Sequence, residues 1–184
     1  MSILDTLSPL RARLGSVRTQ GLDDATLLRL SAQFPELNTA AERAADALPA
    51  LLAEFAELID ADEQAQIDAT QSGFINFYPD DAINPYVAIA ACGPCVITLK
   101  GRVLHDSGGY GMLGFGHTPQ AVIETMSKPQ VMANIMSPSL SHMRVANALK
   151  KEIGHSRGAC PYAKFLTLNS GSESVSLAGR IADT

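Results

Sequence analysis

Apolar residues return at helical spacing through the first seventy positions of the chain. Leu22, Leu27, Leu28, Leu30 and Phe34 gather on one side of a stretch that Asp23 or Asp24 can cap and that Pro35 ends. A second helix is predicted from Asn38 or Thr39, where Thr39 and Glu42 match a capping box. Leu48, Leu51, Leu52, Phe55, Leu58 and Ile59 then recur at three- and four-residue steps across Pro49. Proline lacks an N–H and crowds the carbonyl one turn back, so Pro49 should kink or restart that helix. The stripes need cover, which they find in each other and in the body of the protein, or in a second copy of the chain. Helix propensity accounts for the alanine-rich stretch 40–53.

The pattern changes after residue 71. Gly73, Pro79, Asp80, Asp81, Asn84 and Pro85 make 72–86 a turn-rich connector. Short β-rich pieces follow at 86–91, 95–99 and 103–106, with Lys100-Gly101-Arg102 as a turn between the last two, so a small antiparallel meander is predicted. Thr118 can cap a helix with Pro119 at its first position, and a further helix spans 141–153, with Lys150 and Lys151 in its last turn and Gly154 as its stop. Phe165-Leu166-Thr167-Leu168 reads as a short buried strand that turns sharply into a helix carrying Val175, Leu177, Ala178 and Ile181. The fold class is therefore α/β in three segments: a helical amino-terminal arm at 1–71, a β-rich segment with a glycine loop at 72–138, and the start of a larger domain at 139–184.

Charge narrows the partners. Residues 1–70 carry a net −7 and residues 71–184 a net +2, with no Lys/Arg stripe interleaved with aromatics, so nucleic-acid binding is not expected. No segment approaches the roughly 20 apolar residues needed to cross a bilayer. Three cysteines, no Trp and no basic-flanked apolar leader make the cytoplasm the expected compartment.

The junction at Asn169-Ser170-Gly171-Ser172-Glu173 carries the most chemistry. A helix's first turn leaves N–H groups unpaired at the positive end of the helix dipole, where a phosphate is favoured. Gly171 lets the backbone come close, Ser170 and Ser172 add hydroxyls, and Val175, Ala178, Gly179 and Ala182 are small enough for the helix to lie on a sheet. An ordinary Ser-capped helix with Glu173 in its first turn accounts for the same residues equally well.

The run Asn169-Ser170-Gly171-Ser172-Glu173-Ser174-Val175 follows Asp106-Ser107-Gly108-Gly109-Tyr110 and Leu113-Gly114-Phe115-Gly116-His117-Thr118-Pro119. Together these motifs resemble class III aminotransferases, fold-type I enzymes that use pyridoxal 5'-phosphate, over roughly 74–184. The resemblance implies a partial fold-type I PLP-transferase fold. Gly171 and Ser172, with Ser170, would receive the cofactor phosphate, and Tyr110 would stand near the substrate pocket. It also implies an amino donor and a 2-oxo acid as substrates and a homodimer in the complete enzyme. Thr98, Ser174 and the short Gly116–Pro119 interval depart from the family pattern and leave subfamily and substrate open. Such enzymes hold the cofactor covalently on a lysine, and its ring nitrogen against a carboxylate, both far downstream of this turn. Lys100, Lys128, Lys150, Lys151 and Lys164 all precede it and read as solvated charges. The expectation is an amino-terminal part of a transaminase that anchors phosphate, supplies no catalytic residue and is inactive alone.

Other motifs in the chain suggest different chemistry. Cys92-Gly93-Pro94-Cys95 spells a thiol–disulfide oxidoreductase pair, but Val96-Ile97-Thr98-Leu99 after it is strand-like, whereas that chemistry needs a helix start. A Gly-Pro turn between two small buried thiols, free or reversibly bridged, is the alternative. Zinc on Cys92, Cys95, Cys160 and one of His105, His142 or His155 lacks a second paired knuckle, so no metal is expected. Gly109-Tyr110-Gly111-Met112-Leu113-Gly114 matches a dinucleotide fingerprint by letters and runs into a fresh helix start instead of opening a helix. His117 reads as a hydrogen-bonding residue beside a helix start in preference to a general base. A non-catalytic helical interaction module is the reading from another class.

Overall fold

The computed structural model describes residues 1–76, 78–79, 82–107, 113–131 and 136–183. It forms two compact units, Met1–Lys128 and Pro129–Thr184.

In the first unit, α1 (Ile3–Arg11) starts at a capping box in which Ser2 and Asp5 exchange side-chain-to-backbone bonds. Helix α2 (Asp24–Ser31) is capped by Asp23, whose carboxylate accepts from Thr26 N–H at 2.9 Å. Helix α3 runs from Pro35 to Asp60. It starts ahead of the expected Asn38 or Thr39. Pro35 opens the helix, a position where its missing N–H has no intrahelical partner to lose, and no side chain caps it. Pro49 lies inside α3 without breaking it, and the departure from helical geometry comes later, at Phe55 (φ −132°, ψ 36°). Helix α4 (Glu63–Gln71) follows after a two-residue link.

The predicted meander is present as β1 (Ala88–Cys92), β2 (Cys95–Thr98) and β3 (Val103–His105), antiparallel in the order β1-β2-β3. Gly101 makes the β2–β3 turn at φ +67°, where a Cβ would stand 2.8 Å from Arg11 Cγ. One core joins helices and sheet: Ile3, Leu7 and Leu10 of α1, Leu27 of α2, Leu37 and Leu48 of α3, and Ile97 and Val103 of the strands. The alanines of α3 do more than favour helix. Ala40, Ala41 and Ala44 are buried in this core, so small side chains let α3 lie close on β1 and β2. Helices α1, α2 and α3 and the meander thus share one hydrophobic core, and the chain divides into compact units at 128/129. Helix α5 (Gln120–Met126) is preceded by Pro119 as its cap residue. Thr118 does not cap it; it sits at φ +49° and its hydroxyl meets Arg43 Nη1 at 2.7 Å instead.

The second unit holds α6 (Leu140–Gly154), capped by Ser139, and α7 (Gly171–Ala182), capped by Ser170. The short buried strand expected at 165–168 is not formed among the described residues: this segment pairs with no strand and leaves Leu166 exposed. Within this unit α7 has no strand to lie on among the described residues, and its Val175 is 73% exposed. No described residue of this unit is buried. The described residues form a mixture of helices and one small antiparallel sheet. No helix in the described residues is long and apolar enough to cross a membrane.

Candidate functional site

At the α7 start, Ser170 is extended (φ −144°, ψ 156°) and its Oγ accepts from Glu173 N–H at 3.2 Å. Glu173 Oε2 reaches back to accept from Asn169 N–H at 3.1 Å and Ser170 N–H at 3.0 Å. This reciprocal pair is the capping box of the plainer sequence reading, and it leaves the next two donors alone. Among the described residues no group accepts from the N–H of Gly171 or Ser172. A Cβ built on Gly171 meets nothing within 4 Å, so the approach to these amides is open. Beside them lies a hollow of about 420 Å³ lined by Leu168, Ser172, Glu173, Ser176, Leu177 and Arg180. Two open amides, a hydroxyl and a guanidinium fit a phosphate monoester. The Glu173 carboxylate, on the same turn, opposes it.

Tyr110 lies outside the described residues, as do Gly108, Gly109, Gly111 and Met112. The two feet of that loop are described, and both are tied down. His117 Nε2 is 3.0 Å from Asp106 Oδ2, with each side chain 25% exposed. The His117 backbone pairs both ways with Gly93, at 2.8 and 3.0 Å, and Asp106 N–H donates to Pro94 O at 2.7 Å. The loop therefore starts and ends against the β1–β2 turn. A hollow of about 330 Å³ opens there, lined by Asn84, Tyr86, Val96, Asp106 and His117 among others. Sequence reasoning singled out His117 and missed its partner. The available signal was Asp106 standing at the strand end immediately before the glycine run.

A larger hollow of about 710 Å³ lies between α4 and the segment leading to β1, with Ile67, Thr70, Tyr78, Ile83 and Tyr86 in its wall. Two aromatic residues of the connector, Tyr78 and Tyr86, thus line a cavity in a segment whose sequence reads as turns. Lys100 corrects another expectation, because it is no solvated turn residue. It is 3% exposed, and its Nζ donates to Ile59 O at 3.1 Å, Ala61 O at 2.6 Å and Leu14 O. Burial pulls its pKa down, while Asp60, Asp62 and Glu63 pull it up in part. With its three donors engaged, this ammonium ties the α1–α2 loop and the end of α3 to the sheet.

Cys92 closes β1 and Cys95 opens β2, so the Cys-Gly-Pro-Cys sequence makes a hairpin and not a helix start. Burial, then the Glu36 carboxylate and Cys92, push the Cys95 thiol up. A helix amino terminus, the usual means of making such a thiolate available, is missing from this turn. Among the described residues, no three His, Cys, Asp or Glu side chains gather where a metal ion could sit. No family model, no curated protein and no solved structure matches this chain.

Proposed function

We propose that this chain is the amino-terminal part of a PLP-dependent aminotransferase and that it supplies the turn holding the cofactor phosphate. The observation that carries the reading is the pair of unpaired, open amides at Gly171 and Ser172, in a motif order that resembles that family. Pyridoxal 5'-phosphate, when bound, supplies the electron sink for moving an amino group from a small amino donor to a 2-oxo acid. This chain's part is to bind and orient. The amides and the Ser172 hydroxyl take the phosphate oxygens, and Arg180 adds positive charge beside them. The pinned feet of the 107–116 loop would hold Tyr110 near the substrate. Lys100 is committed to three carbonyls and is unavailable as a covalent anchor. The whole enzyme would be a homodimer in the cytoplasm.

Two charge-assisted N–H bonds at roughly 1.5–3 kcal/mol each give binding on the order of millimolar. The test follows the backbone amide signals of Gly171 and Ser172 by nuclear magnetic resonance during titration with pyridoxal 5'-phosphate or pyridoxal. Saturating shifts with the phosphate ester alone, abolished in Gly171→Asp, are expected, without transamination by this chain. Equal shifts with pyridoxal, or none with either, would sink the phosphate role and leave the helical interaction module standing.

A further inference from the structure

We propose that Cys92 and Cys95 form a reversible disulfide across the β1–β2 turn, with a low-molecular-weight disulfide of the glutathione type as oxidant. The two residues are register partners at the end of the β1–β2 ladder. Residues directly opposite in an antiparallel pair have Cα atoms about 4.5–5.5 Å apart, within the roughly 4.4–6.8 Å that a disulfide spans. Opposite residues also share a face, and here both side chains pack against the same core while staying partly accessible. The turn is held in place for the reaction. Gly93 sits at φ +54° ahead of Pro94, a sequence suited to a tight two-residue hairpin, and its N–H and C=O are both bonded to His117.

The Cys92 thiolate attacks one sulfur of oxidised glutathione, breaking the S–S bond, forming a mixed disulfide and releasing one glutathione thiolate. Cys95 then gives its proton to solvent and attacks the Cys92 sulfur, which expels the second glutathione. Two protein thiols are oxidised, one glutathione disulfide is reduced to two thiols, and excess thiol reverses the process. Cys92 attacks first because burial and Glu36 favour the protonated form of Cys95. Lacking a helix amino terminus, the pair is suited to closing slowly on itself and not to rapid turnover on other proteins. This inference stands apart from the phosphate reading.

The test equilibrates the full chain at fixed reduced glutathione with rising oxidised glutathione, followed by acid quench, alkylation and peptide mass analysis. Cys92 and Cys95 share one tryptic peptide, since no Lys or Arg lies between Arg43 and Lys100, and Cys160 falls on another. The shared peptide should lose two hydrogens at an oxidised-glutathione concentration at least about tenfold below that which half-modifies Cys160. In Cys95→Ser, Cys92 should accumulate a glutathione adduct, and in Cys92→Ser, Cys95 should react more slowly than that. Repeating the series in urea should abolish the tenfold preference. Full alkylation of both thiols throughout, accumulation of glutathione adducts in place of the bridge, or an unchanged preference in urea would each overturn the proposal.

Discussion

At the scale of single residues, the decisive group is Lys100. A Lys-Gly-Arg sequence between two strand-like runs reads as a polar turn, and the turn is there. Its burial could not be read, because the three carbonyls that receive its ammonium come from Leu14, Ile59 and Ala61, far away along the chain. Lys100→Met would leave those carbonyls unpaired in a tight site and should cost roughly 3 kcal/mol or more, measured as a lower urea midpoint. The pH dependence has a definite sign. Burial holds the folded-state pKa below the usual 10.5, so in the window between the two the unfolded chain binds more protons. Stability of the native chain should therefore rise, relative to Lys100→Met, as pH climbs through that window. A gap that narrows instead would show that the carbonyls outweigh burial. Gly15 belongs to the same cluster. At φ +87°, with a built Cβ 2.7 Å from Lys100 Nζ, it has no room for a side chain. Gly15→Ala should destabilise by roughly 2 kcal/mol in the same urea titration.

At the scale of elements, the sequence was most readable where one rule acted alone. Two β-rich runs around Lys100-Gly101-Arg102 specify β2 and β3, and Asp23 specifies the α2 start. Prolines were harder, because proline both ends one helix and suits the first turn of the next; Pro35 does the second, three residues after Ala32 caps α2. The strand expected at 165–168 failed for a different reason. An apolar run states a capacity for pairing, and pairing needs a neighbour, which the described residues do not provide. Pro49 offers a test of how α3 tolerates its interruption. It is exposed, so its cost is confined to one missing N–H bond and a local clash. Pro49→Ala restores the donor and a good helix former at the expense of a freer unfolded chain, and a net gain of about 1–2 kcal/mol is expected from thermal or urea unfolding. A loss would mean that the proline is needed to direct the last turns of α3, including the non-helical geometry at Phe55.

At the scale of the molecule, the two units differ in how their helices are held. In Met1–Lys128, α1, α2 and α3 pack on one another and α3 covers the sheet, so opening any of them exposes Leu7, Leu10, Leu27 or Ile97 to water. In Pro129–Thr184, α6 and α7 have good caps and amphipathic sequences, yet no described residue there is buried, and Leu140, Met143, Val145, Val175 and Ile181 face outward. Helices of this length are marginal in water without a packed face. Hydrogen exchange should therefore divide the chain sharply: amides in the middle of α3 and β2 exchange only through global unfolding, whereas those of α6 and α7 exchange through local opening at least about a hundredfold faster. A chain ending at Lys128 should keep the melting temperature of the full chain to within a few degrees. If α6 and α7 instead prove as protected as α3, their apolar faces are covered in solution, and the surface that covers them, whether a second copy or another polypeptide, becomes the first thing to identify. The proposed phosphate turn sits at the head of α7, one of these helices without a buried face, so its affinity should rise when that apolar face is covered. Adding a polypeptide that protects α7 from exchange should tighten pyridoxal 5'-phosphate binding at Gly171 and Ser172, and unchanged binding would separate the turn from the helix behind it.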